Sequence, residues 1–139
     1  SREEVAPLLA ASDIFLSSGF PEGFALPPLE ARACGAIPVG FSGQGGFEYM
    51  RNPELPGLYE PPITLASKQW GAHGLFVSDG DVMNGGLALA RAVKMRLERD
   101  PLWGELRREG LRAAQAYSTE KRRAKVAVIW PELIRSFQG

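Results

Sequence analysis

Two carboxylates, Glu22 and Glu30, stand eight residues apart in "SSGFPEGFALPPLEARACG", residues 17–35. Between them lies a Gly-Phe-Ala-Leu-Pro-Pro core. A carboxylate accepts hydrogen bonds at both oxygens, so it can hold two adjacent hydroxyls, as on a ribose or a hexose. Pro27 and Pro28 suit the first turn of a helix, where the backbone N–H has no intrahelical partner. Glu30 is then expected in that first turn, where the helix dipole favours the charged form. Glu22 precedes the helix and faces the same crevice from the loop. Spacing alone leaves a plainer reading open, because helix starts attract glutamate anyway: two solvated side chains on a loop and a helix.

The elements that must position this pair follow from the flanking pattern. Ser1 and Glu4 have capping-box spacing, with Val5, Leu8 and Leu9 continuing a helix to about Ser12. "DIFLS", 13–17, is apolar and of strand length. After the glycine- and proline-rich turn, Leu29, Ala31, Ala33 and Cys34 carry a helix to Gly35. "AIPVGF", 36–41, reads as a second buried strand, which Pro38 is expected to shorten to three or four residues. "SGQGGFEYM" is a second glycine-rich turn leading into a short helix. Residues 50–74 contain four prolines and no periodicity, and read as an irregular insertion. A third strand is expected at 75–77. Asp81 caps a helix over about 82–99, with Val82, Leu89, Val93 and Leu97 on one side. Asp100-Pro101 starts the next helix, with Leu102, Leu106, Ala113 and Tyr117 inward. Ser118 caps a last helix, interrupted at Pro131.

Strands alternating with helices imply βαβ units and a short parallel sheet of about three strands. Both glycine-rich turns leave a strand and enter a helix. That edge of an open parallel sheet is where ligands bind. Gly19, Gly23, Gly45 and Gly46 let a ligand approach the backbone. Because the two prolines donate nothing, N–H groups for an anion must come from Phe24, Ala25, Leu26 and Leu29.

Composition narrows the function classes. The chain has 139 residues, 45% hydrophobic and 23% charged, with zero formal net charge. No global field points to nucleic acid. Residues 91–125 are locally basic, with eleven Lys/Arg against five Asp/Glu. Such a run is ordinarily a solvated helix face, with contact to an anionic membrane surface as the alternative. The lone Cys34 fits a reducing, cytoplasmic setting and reads as a small packed residue. No apolar run approaches the ~20 residues of a membrane span. No cluster has metal-ligand spacing, and no cofactor is expected. His73, the one histidine, reads as a surface residue. Tyr49, Tyr59 and Trp70 flank or enter the insertion. Tyr59 and Trp70 are candidates for a lid over a sugar face, against the default of a proline-stiffened surface loop.

The stretch "ASDIFLSSGFPEGFALPPLEARACGAIPVGFSGQGGFEYM" resembles the nucleotide-sugar-binding half of retaining GT-B glycosyltransferases. The similarity is strongest to glycosyltransferase family four, with its Glu-x7-Glu motif. The matching residues are Asp13, Glu22, Gly23, Phe24, Leu26, Pro28, Glu30, Ala31, Cys34, Gly35, Pro38, Val39, Gly45, Gly46 and Glu48. "GLFVSDGDV" and "RDPLWGELRREGLRAAQAYSTEK" resemble later parts of the same family. The resemblance implies a partial Rossmann-like domain over 1–139, with 50–74 inserted. It implies that Glu22 contacts the transferred sugar as the catalytic carboxylate and that Glu30 binds the ribose. Gly23, Phe24, Ala25 and Leu26 would contact sugar hydroxyls and phosphate through backbone N–H groups. The partners implied are a nucleotide diphosphate sugar donor and an unidentified acceptor, with no metal.

The sequence departs from the family pattern in four ways. Ala25 stands where glycine is common, which a negative φ would accommodate. Ser17 replaces a common proline. The insertion is long. The Arg and Lys that neutralise the diphosphate in the family, from an earlier part of the same domain, and the family's first domain are not among these residues. The chain is therefore expected to be a donor-binding part of a hexosyltransferase, inactive by itself, and prone to self-associate through a bare strand edge at 13–17 or the apolar 130–137 face. Two rivals remain. One is a non-catalytic module that binds sugar nucleotide or a protein. The other is a glycoside hydrolase using Glu22 and Glu30, which would have no use for an anion site at a helix start.

Overall fold

Each of the three apolar runs of strand length becomes a parallel strand. The computed structural model describes residues 2–19, 25–42 and 74–137. In chain order the elements are α1 (Arg2–Ala10), β1 (Ile14–Ser17), α2 (Leu26–Ala33), β2 (Ile37–Phe41), β3 (Leu75–Val77), α3 (Val82–Glu98), α4 (Pro101–Ala116) and α5 (Thr119–Phe137). The sheet order is β1-β2-β3, so β2 is central. Both pairings are parallel, with Leu16 opposite Val39 and Val39 opposite Leu75. The Ser1 cap, the turn and short helix at 43–50 and nearly all of the 50–74 insertion fall outside the described residues.

Strand alternation sends neighbouring side chains to opposite faces. On one face Ile37, Val39, Leu75 and Val77 are buried against Ala88, Ala92 and Met95 of α3, with Leu106 of α4. On the other, Phe76 packs with Ala25 and Leu29 at the start of α2. The sheet is thus covered by α3 on one side and by α2, backed by α4, on the other.

Two expectations about helices are corrected. The buried side of α3 is Asn84, Ala88, Ala92 and Met95, and of Val82, Leu89, Val93 and Leu97 only Leu89 packs against the core. Val82 and Leu97 are largely exposed, at 74% and 77%. The two alanines bring the helix axis close to the sheet, which larger residues on that face would prevent. The last helix is not interrupted: α5 continues through Pro131 to Phe137. Proline removes one N–H from the ladder there, and no α5 residue is buried. The caps stand where expected. Asp81 accepts from the Asn84 backbone N–H at 3.1 Å and from Asn84 Nδ2 at 2.7 Å. Asp100 accepts from the Leu102 N–H at 2.9 Å and pairs with Arg91 at 3.1 Å.

Pro38 does not shorten β2, which runs five residues although it is the central strand. The Ile37 N–H donates to the Asp13 carbonyl at 3.0 Å, so odd-numbered residues of β2 face β1. Pro38 therefore faces the β3 side, and pairing with β3 begins only at Val39 opposite Leu75. The missing N–H falls just before that ladder starts.

Gly40 has φ of +122°, a region L side chains rarely adopt. A Cβ there would lie 2.2 Å from the Ser17 carbonyl oxygen. Gly40→Ala is expected to lose about 1–3 kcal/mol for backbone conformation and more for displacing Ser17, read by denaturant unfolding. Gly86→Ala, whose Cβ meets nothing within 4 Å in α3, should be neutral or gain up to about 1 kcal/mol. Equal effects of the two substitutions would contradict the close approach of β1 and β2.

Among the described residues β1 pairs only with β2, leaving its outer edge bare, and Leu16 is 53% exposed. A bare edge templates pairing with another chain. Light scattering over a concentration series should show self-association that Leu16→Lys reduces. A chain that stays monomeric at high concentration would show the edge to be covered.

Candidate functional site

All three strands point the same way, so Ser17, Phe41 and Val77 end at one edge. The chain leaves that edge after β1 and returns at Ala25 to begin α2. Ala25 is the residue before the helix, with φ −71° and ψ 99°, and makes no side-chain cap. Its φ is negative, the condition expected from sequence for an alanine at this position. Ser17 also has a role of its own. Its hydroxyl donates to the Phe41 carbonyl at 3.0 Å, tying the ends of β1 and β2 together. Proline in its place could not make that bond.

α2 begins at Leu26, one residue earlier than Pro27, so Glu30 lies in the second turn and not in the first. The first turn contains no acidic residue, and the dipole argument for Glu30 weakens accordingly, because the effect falls off within that turn.

Contacts at both ends orient α2. At its C-terminal end, Gly35 (φ +88°) lies against the Arg107 guanidinium, where a Cβ would come within 2.8 Å. At its N-terminal end, Ala25 and Leu29 pack with Ala114 and Tyr117. α2 and α4 therefore run antiparallel, with the start of α2 beside the α4–α5 junction. Beneath α2, the buried Arg32 sets its guanidinium over the Phe76 ring, 5.2 Å from the centroid. That distance is within cation–π range.

This arrangement opens a groove between α2 and the α4–α5 junction. One cavity of about 370 Å³ is lined by Glu30, Leu29, Tyr117, Ser118 and Arg122, among others. A second, of about 470 Å³, is lined by Leu26, Leu29, Tyr117, Lys121, Arg122 and Lys125, with Ala116. They share Leu26, Leu29, Tyr117 and Arg122 in their walls and so adjoin each other. Glu30 is half-buried in its wall. Ser118 sets the start of α5: its Oγ accepts from the Lys121 N–H at 3.3 Å and its carbonyl from the Arg122 N–H at 2.9 Å.

Of the residues singled out from sequence, the structure brings Leu26 and Glu30 to this groove and buries Ala25 in the cluster with Leu29 and Phe76. Glu22, Gly23, Phe24, Tyr59, Trp70 and His73 lie outside the described residues. Among the described residues no group of His, Cys, Asp and Glu could hold a metal ion. Tyr117, Lys121, Arg122 and Lys125 were not foreseen as groove residues. The available signal was the run of cations at i, i+1 and i+4 directly after a serine cap, which places them on one helical face.

No family profile matches the chain. Over 63 residues, 45% of this chain, it is 36% identical to the protein named "Putative glycosyltransferase ORF330" of Acidianus filamentous virus 2. In fold it is similar to a sucrose-phosphate synthase from Thermosynechococcus elongatus, with a TM-score of 0.64 over 98% of the chain and 24% identity. The chain spans 19% of the viral protein and 29% of the synthase chain. The fold is thus that of part of a GT-B glycosyltransferase, and in sequence the chain is glycosyltransferase-like. No helix among the described residues is long and apolar enough to cross a membrane.

Ser118→Ala removes the acceptor that starts α5 and is expected to lower stability by about 1 kcal/mol, with Ser118→Asp restoring it. Thermal unfolding followed by circular dichroism measures both. An unchanged midpoint in Ser118→Ala would show that the α5 start is held by other contacts.

Proposed function

We propose that this chain is the nucleotide-diphosphate-sugar-binding part of a retaining hexosyltransferase of glycosyltransferase family four type. The observation that carries the reading is Glu30, half-buried in a groove beside the start of α2 at the carboxyl edge of a parallel sheet. Supporting it are the Glu-x7-Glu spacing, the GT-B fold and the similarity to a protein named as a glycosyltransferase. Glu30 accepts from the ribose hydroxyls, and Glu22 contacts the sugar being transferred. Backbone N–H groups of residues 23–26 contact sugar hydroxyls and phosphate. The acceptor is met by parts of the protein beyond this groove, so these 139 residues bind donor without turning it over. The whole protein acts in the cytoplasm.

Glu30→Ala is expected to weaken nucleoside diphosphate binding by roughly 1.5–3 kcal/mol, the range for hydrogen bonds to a charged group. In the complete enzyme, Glu22→Ala should chiefly lower turnover of the sugar donor and leave plain nucleoside diphosphate affinity nearly unchanged. Calorimetry and a donor-consumption assay separate the two effects. Wild-type affinity in Glu30→Ala together with wild-type turnover in Glu22→Ala would overturn the reading. Tight donor binding with no turnover in the complete protein would favour a non-catalytic sugar-nucleotide module instead.

A further inference from the structure

The start of α2 is poorly equipped to hold an anion unaided. Its second and third residues are Pro27 and Pro28, which have no N–H. The usual donors at a helix N-terminus are therefore largely missing from this one. A diphosphate lying here needs side-chain cations.

The groove supplies them from the other wall. Lys121, Arg122 and Lys125 all line the 470 Å³ cavity, and among the described residues no Asp or Glu does. Their spacing keeps them on one side of α5, within about 6 Å along its axis at 1.5 Å per residue. Among the described residues none of the three is paired with a carboxylate. Four other cations of the basic stretch are so paired: Arg91, Lys94, Arg96 and Arg112. The same cavity adjoins the one that Glu30 lines, with Leu26, Leu29, Tyr117 and Arg122 in both walls. A ligand with hydroxyls at one end and negative charge at the other would meet complementary groups at both.

We propose that Lys121, Arg122 and Lys125 form a diphosphate-binding wall in this groove, holding the phosphates of a nucleotide against Leu26 and Tyr117. The proposal rests on the reading of Glu30 as the ribose acceptor for its nucleotide, but the anion site itself does not. The cations come from α5, so the groove has a source of charge neutralisation among these residues. Arg122 lines both cavities and marks the junction between the sugar hydroxyls and the phosphates. Being exposed, the three cations should bind more weakly as salt rises.

The test is calorimetric titration of this chain with inorganic pyrophosphate and, separately, with UDP, ADP and GDP. Lys121→Gln/Lys125→Gln is compared with Arg122→Gln, Glu30→Ala and Arg123→Gln, the last an exposed cation outside the cavity lining. Circular dichroism confirms that each variant is folded. The expected result is a loss of about tenfold or more in affinity per cation removed, for pyrophosphate and nucleotide alike. Arg123→Gln should leave both unchanged, and Glu30→Ala should weaken only the nucleotides. Equal losses in Arg123→Gln would reduce the effect to a diffuse positive field and overturn the site. Weaker nucleotide binding in Glu30→Ala with no effect of the cation variants overturns this proposal and leaves the ribose reading standing. Cation-dependent pyrophosphate binding without any effect of Glu30→Ala does the reverse. No binding of any probe by the wild-type chain overturns both.

Discussion

The approach of β2 to the end of β1 is the contact on which the carboxyl edge of the sheet depends. At Gly40 the backbone turns to φ +122° so close to the Ser17 carbonyl that no Cβ fits. The Ser17 hydroxyl completes the join by donating to the Phe41 carbonyl. These contacts fix where β1 stops and where the chain departs toward α2. A side chain at position 40 would push the two strand ends apart, and with them the start of the helix that carries Glu30.

From that edge the groove is built by two further constraints. α2 is seated at one end by Gly35 against Arg107 and at the other by Leu29 and Ala25 against Phe76, Ala114 and Tyr117. Ser118 then caps α5, whose first turns put Lys121, Arg122 and Lys125 on the cavity that Leu26 also lines. A groove built this way has one apolar wall, one carboxylate and one wall of cations. That division suits a ligand that is itself divided between hydroxyls and phosphates.

Much of the fold was legible in the residues. The three apolar runs flanked by turns gave three parallel strands within a residue of their ends, and Asp81, Asp100 and Ser118 marked helix starts by their side-chain chemistry. Misreadings came where tertiary packing outweighs local pattern. Pro38 looked disruptive because sequence does not say which neighbour a backbone N–H faces. The larger apolar residues of α3 looked inward because periodicity weighs size, whereas a helix lying close on a sheet selects Ala88 and Ala92. The position of Glu30 shifted by one residue, out of the first turn, because Leu26, not Pro27, opens the helix. The motif singled out Glu30, whereas the α5 cations that line the adjoining cavity depend on the direction in which α5 leaves the Tyr117–Ser118 turn, which has no local signature.

The central claim is that the groove between α2 and the α4–α5 junction binds a nucleoside diphosphate. Amide chemical-shift mapping of the labelled chain during titration with UDP, ADP and GDP tests it most directly. The account predicts that at least one of them shifts the amides of Ser17, Leu26, Leu29, Glu30 and Tyr117 to Lys125 together and saturably, while α1 and the outer face of α3 stay still. Shifts centred on α1 or α3, or none with any of the three nucleotides at millimolar concentration, would contradict it.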